Sequence, residues 1–251
     1  MKTLLLAALT AASLALTASA APPPIKPYLA AALASPDRAS QASADARRKP
    51  AEILAFAGLK PGQTVVDLIP GGGYFTRIFS KVVGPKGHVF VVWPNEYAAE
   101  SHPDPENSAK LAATPGYGNI TVLTQPAAAF STPVAVDMVF TAQNYHDYPD
   151  KFMGHVDQLS FDRQVYKALK PGGVFFIVDH VADAGSGLRD TDTLHRIDPA
   201  IVKQQVTSVG FRFVGESEVL RNPADDHKKA VFDSSIRGHT DQFVFKFRKP
   251  G

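Results

Sequence analysis

Apolar residues along this chain fall into two alternating kinds of stretch. Short, nearly continuous runs bounded by Gly, Pro, Asn or Asp predict buried strands, and runs with apolar residues three and four positions apart predict helices. The clearest junction spans Thr64 to Thr76. Val65, Val66, Leu68 and Ile69 form an apolar run that stops at Pro70-Gly71-Gly72-Gly73. Phe75, Ile78, Phe79, Val82 and Val83 then lie on one helical face, closed by Gly84 and Pro85. This is a strand, a glycine turn and a helix. Further strands are predicted at His88 to Trp93, Ile120 to Leu123, Val134 to Thr141, Val174 to Val178 and Phe211 to Leu220. A last one carries Phe243, Phe245 and Phe247 in period two, as a half-buried strand should.

Helical patterns separate these strands. One covers Asp37 to Gly58 with a break at Pro50, and a short one lies near Ser108 to Ala113. Another runs from Asp150 to Leu169. A further helix has Asp198 as N-cap, Pro199 as first helical residue and Gly210 at its end. Ala21 to Pro36 reads as an extended Pro/Ala linker, and Ala182 to Thr193 as a loop suited to a mobile lid. Strands alternating with helices predict an α/β fold with a doubly wound, mostly parallel seven-stranded sheet.

Composition narrows the classes. With 251 residues, 45% of them hydrophobic, the chain can bury one sizeable core. The formal charge of +2 leaves no footprint for nucleic acid. There is no cysteine, which excludes disulfides, thiol catalysis and cysteine-ligated metals. Lys2, an apolar core from Leu4 to Leu16 and the small residues Ala18-Ser19-Ala20 predict a signal peptide over residues 1–20. Cleavage after Ala20 would leave a periplasmic or secreted protein without stable membrane insertion. Residues 21–48 then form a linker and N-terminal helix, and 49–251 the main domain.

The glycine turn resembles the first motif of the class I S-adenosylmethionine (SAM)-dependent methyltransferases, an acid followed by Gly-x-Gly-x-Gly. Asp67 matches the acid, Gly71 and Gly73 the second and third glycines, and Ile69 stands in place of the first. The run Leu169-Lys170-Pro171-Gly172-Gly173-Val174 before a hydrophobic strand is also similar to the family. The resemblance covers Lys49 to Leu220 plus the last strand. It implies a Rossmann-like fold with the last strand inserted antiparallel, and SAM as cofactor. It also implies cofactor contacts from Asp67, Gly71, Gly72, Gly73 and Tyr74. The acid that holds the ribose in the family has Trp93 at its position. Glu96, three residues on, is the expected substitute, with Trp93 either stacking on adenine or packing in the core. Gln125 falls where the family meets the adenine amino group, and Gln143 begins the cluster expected to face the methyl group.

That cluster continues with Asn144, Tyr145, His146 and Asp147, the candidates for catalysis. Ligands of open α/β sheets bind beyond the carboxyl ends of the strands. His146 is the candidate general base, oriented by Asp147, and the tyrosines would wall an acceptor pocket. The acceptor is expected to be a small molecule. Histidine spacing shows no ligand motif, so no metal site is expected, although Asp179-His180 with His195 could meet in space. There is no Gly-x-Ser-x-Gly elbow, and Thr76 occupies the last glycine position of a nicotinamide fingerprint. The competing reading is an exported, non-catalytic or vestigial binding protein on the same fold, motivated by Ile69 and the missing strand-two acid.

Overall fold

In a computed structural model, residues 25–100 and 103–251 are described; the expected signal peptide lies outside them. The described residues open with α1 (Pro27–Leu33), α2 (Asp45–Arg48) and α3 (Pro50–Ala57). Then follow β1 (Thr64–Leu68), α4 (Tyr74–Val83), β2 (His88–Pro94), α5 (Asn95–Glu100), α6 (Asp104–Ala112), β3 (Ile120–Gln125) and β4 (Val136–Ala142). The second half comprises α7 (Gln158–Ala168), β5 (Leu169–His180), α8 (Thr191–Leu194), α9 (Pro199–Ser208), β6 (Arg212–Ser217) and β7 (Gln242–Arg248). No described helix is long and apolar enough to cross a membrane.

The strands form the expected seven-stranded sheet, in the order β3-β2-β1-β4-β5-β7-β6. β7 runs antiparallel to both β5 and β6, and the other pairings are parallel. The chain winds outward from β1 to β3, then returns to place β4 on the other side of β1. The gap between the ends of β1 and β4 is thus the topological switch point, where such sheets open a crevice. Helices cover both faces, so β1 and β2 are buried almost throughout, the pattern of a parallel sheet. Phe75 and Phe79 of α4 pack on Phe140 of β4 at 4.7 and 5.0 Å between ring centres. Phe140 in turn stacks on Phe176 of β5 at 5.5 Å. Each such ring contributes roughly 1.5–3 kcal/mol by burial.

Three expectations change. The supposed linker contains α1, started by Pro27 at its first position and anchored where the Tyr28 hydroxyl donates to the Leu59 carbonyl at 3.0 Å. The helix expected from Asp150 begins at Gln158: Gly154 and His155 turn left-handed (φ 80° and 52°), and Asp157 caps the helix by accepting from Leu159 and Ser160 N–H. The last strand is buried on both faces, with Val244 as enclosed as the phenylalanines, because it sits inside the sheet rather than at its edge. The break at Pro50 is present, with Lys49 left-handed between α2 and α3.

Candidate active site

A cavity of about 410 Å³ opens at the switch point. Its floor is the glycine turn after β1. Gly71 is left-handed (φ 54°), and a Cβ at Gly71 or Gly72 would meet nothing within 4 Å, so bare backbone borders open space. Gly73 (φ 73°) is the N-cap of α4 without a capping side chain, its N–H donating to Pro70 O. Ile69 keeps the left-handed conformation (φ 52°) that a glycine would take freely, although a β-branched side chain is strained there. Its side chain is buried at the cavity wall.

Asp67, buried at the end of β1, accepts a hydrogen bond from Thr76 Oγ1 at 2.6 Å and lines the cavity. Burial pushes its carboxyl up to about 7, and the Thr76 hydrogen bond and the charge of Arg48 offset only part of that. Arg48 also lines the cavity, its guanidinium 4.9 Å from the centre of the Tyr74 ring. Tyr74 lies between Arg48 and Asp45, donating its hydroxyl to the latter. A cation and an acid therefore flank the glycine backbone.

The opposite wall comes from the loops after β4 and β5. Gln143 N–H donates to Val178 O at 2.7 Å, and its side chain donates to Gln242 at 3.1 Å. Asn144 ties the ends of β1 and β4 together, its Nδ2 donating to Ile69 O and Ala142 O at 3.0 and 2.7 Å. A 3-10 turn (Tyr145–Asp147) then aims His146 and Asp147 into the cavity. His146 Nδ1–H donates to Asp179 Oδ1 at 2.8 Å, and His146 backbone N–H to Asp179 Oδ2 at 2.9 Å. Its Nε2 lies 3.1 Å from Asp147 Oδ1 and 3.4 Å from His195 Nδ1. Burial alone would lower the His146 pKa, but Asp179 and Asp147 together hold it well above the usual histidine value. The two carboxylates thus favour the protonated ring. His180, buried beside Asp179, is pushed down to about 3 and stays neutral.

Four expected site residues lie elsewhere. Trp93 is fully buried, its indole N–H donating to Ser108 Oγ at 3.2 Å, so it packs the core. Glu96 Oε2 accepts the Ala127 N–H at 2.8 Å and caps the turn after β3. Gln125 Oε1 accepts from Ser131 on the protein exterior. Tyr145 turns beneath the site to donate to Asp162. Sequence reasoning missed Arg48, Tyr97, Glu100 and Phe232, all lining the cavity; His180 and His195, read from the sequence only as groups that could meet in space with Asp179, line it too. On α5, Tyr97 directly follows the expected acid and Glu100 lies one turn beyond it; the amphipathic signal there is too short to orient either side chain. His195 is brought in by a left-handed turn (φ 53°) after α8.

A seven-stranded sheet of this order, with a glycine turn and cavity at the switch point, has the fold of the class I SAM-dependent methyltransferases. A SAM-dependent methyltransferase from Aquifex aeolicus superposes with a TM-score of 0.57 at 20% identity, over 85% of this chain and 93% of that one. The [4+2]-cyclase SpnF superposes with a TM-score of 0.61 at 16% identity, over 84% and 82%. In sequence the chain is similar to the ubiquinone/menaquinone biosynthesis C-methyltransferase UbiE of Vibrio cholerae, 27% identical over 197 residues. That alignment covers 76% of this chain and 63% of the relative, so the chain spans less than two thirds of its length. These likenesses bear out the resemblance read from the sequence. No family model matches the chain.

Proposed function

We propose that the protein is a SAM-dependent methyltransferase acting on a small-molecule acceptor. The observation that carries this reading is the cavity itself. It lies at the switch point, lies within the roughly 300–1,000 Å³ of small-molecule sites, and has glycine backbone on one wall and a polar cluster on the other. The residues fit the cofactor. Gly71 and Gly72 leave room for a ligand against the backbone, at the uncapped N-terminus of a ten-residue helix. Arg48 suits the methionine carboxylate, and Asp67 the methionine ammonium, so a zwitterion meets the opposite charge at each end. Glu100 replaces Glu96 as the carboxylate for the ribose hydroxyls. When bound, SAM supplies an electrophilic methyl group on a sulfonium.

The chain's own contribution is positioning and exclusion of water. Asn144 holds the two walls at fixed separation, and Gln143 is braced against Gln242. Val231 and Phe232 line the rim near His195, with Phe232 4.8 Å from the His195 ring, an apolar border that suits an acceptor with an aromatic or aliphatic body. Against the vestigial reading, Trp93 does not fill the cavity and Ile69 leaves it open. We also propose export: the pattern of residues 1–20 supports a cleaved leader, and N-terminal sequencing of the secreted protein should begin at Ala21.

Calorimetric titration with SAM and S-adenosylhomocysteine tests the function. Micromolar binding is expected, lost in Gly71→Val, where a branched side chain meets a left-handed backbone, and weakened at least tenfold in Arg48→Ala. Absence of binding to the wild-type protein at millimolar ligand would refute a methyltransferase.

A further inference from the structure

We propose that His146 Nε2, Asp147 Oδ1 and His195 Nδ1 form a binding site for one divalent transition-metal ion, with an open coordination position facing the cavity. The three donor atoms lie within 4.8 Å of one another. Their separations are 3.1 Å (His146 to Asp147), 3.4 Å (His146 to His195) and 3.7 Å (His195 to Asp147). An ion with bonds of about 2.0–2.1 Å in tetrahedral geometry places its ligands roughly 3.3–3.4 Å apart. The observed triangle brackets that edge, so an ion needs only small side-chain adjustments.

Two further observations support the site. Asp179 accepts the Nδ1–H of His146 at 2.8 Å and is itself fixed by the N–H groups of His146 and His180. A carboxylate that fixes the tautomer and aim of a histidine in this way is the usual outer partner of a metal-bound imidazole. Charge is the second. Asp147 and Asp179 are both buried, and among the described residues neither bonds a lysine or arginine. A divalent cation at the cluster balances both carboxylates and is bound by the neutral His146 ring through Nε2, the one ring proton staying on Nδ1 toward Asp179. Two nitrogens and one oxygen suit zinc, iron(II), manganese(II) or cobalt(II) rather than calcium or magnesium.

Three protein ligands and one open position are the pattern of a substrate-binding metal. The role rests on the methyltransferase reading. The open position would take a hydroxyl, carboxylate or thiol of the acceptor, holding it against the wall where Gln143 and Asn144 lie. This narrows the acceptor to molecules that offer such a donor.

The test is metal binding, read without activity. Protein stripped with a chelator is titrated with Zn²⁺ by calorimetry and with Co²⁺ by visible absorption, and each sample is titrated separately with S-adenosylhomocysteine. One Zn²⁺ per chain is expected, with the intense d–d bands of four- or five-coordinate cobalt. His195→Gly, which keeps the left-handed turn, should lose at least 100-fold in Zn²⁺ affinity, and Asp179→Asn about 10–100-fold. His155→Ala, outside the cluster, should bind as the wild type does. Thermal melts confirm that the variants fold. No stoichiometric binding, or binding that survives His195→Gly, overturns the site. Binding of S-adenosylhomocysteine by a protein that binds neither Zn²⁺ nor Co²⁺ refutes the site and leaves the methyltransferase reading standing. Metal binding without S-adenosylhomocysteine binding supports the site and removes its assigned role.

Discussion

Asp67 ionises near 7 because it is buried, while the same carboxyl in the unfolded chain ionises near 3.8. Between those values the folded protein keeps a proton that the unfolded chain has lost, so this group lowers stability as pH rises from about 4 to 7 and adds no further slope above. Asp67→Asn should flatten that part of the profile. Between pH 5 and pH 7 it should remove a loss of roughly 2 kcal/mol, measured as urea midpoints. The same acid makes cofactor binding pH-dependent, since a methionine ammonium prefers the ionised carboxylate. Affinity for SAM should rise about tenfold between pH 6 and pH 8 by calorimetry, and Asp67→Asn should lose that dependence. Ile69 offers a second residue-level test. At φ 52° glycine should outperform alanine, so Ile69→Gly should unfold at a higher urea concentration than Ile69→Ala, by about 1–2 kcal/mol. An ordinary alanine advantage would show that the turn relaxes. At this scale the sequence was legible where backbone chemistry speaks, at Asp67 and the glycines. It was opaque where only side-chain direction decides. Glu96 looks like a ribose acid by position, yet α5 starts at Asn95 and turns its carboxylate to Ala127.

Elements bring the site together across distances that no local pattern encodes. His146 and His195 are separated by 49 residues and meet only because β4 and β5 are neighbours. The strands and long helices were readable from period alone, while α1 and the interruption at Gly154 depended on packing and on left-handed turns. The 221–239 segment illustrates how an irregular element is fixed. Arg196, wholly buried, pairs with Asp225 at 2.9 Å and donates to Lys229 O and Val181 O. Asp225 also accepts the N–H of Asp241, at the entry to β7. Asp225→Ala would strand a buried guanidinium, and a loss of about 3–5 kcal/mol in urea unfolding is expected. Because the segment carries Val231 and Phe232 to the rim, acceptor binding should weaken in the same variant while S-adenosylhomocysteine affinity changes little. Trp93→Phe should lower stability and leave S-adenosylhomocysteine affinity unchanged, since the indole faces Ser108 and not the cavity. A loss of affinity on that substitution would return the indole to the binding wall.

For the molecule as a whole, the sheet order explains why one cavity gathers so much chemistry. Reversal of winding between β1 and β4 leaves one crevice, and the strands on both sides point their carboxyl ends at it. Alternating strand and helix patterns made this architecture readable before any side chain was placed. The position of β7 has a consequence for how the molecule comes into being. The strand is last in the sequence, yet it lies between β5 and β6, pairing Ile177 with Phe245 on one side and Glu216 with Phe245 on the other. Synthesis therefore delivers the β5 edge long before the segment that covers it, and β6 has no place in the sheet until that segment arrives. A nascent chain would present an apolar, unpaired edge to any neighbour, as a chain cut before Gln242 would do permanently. Closure of the sheet waits for β7, and until it arrives that edge is open to pairing with another chain.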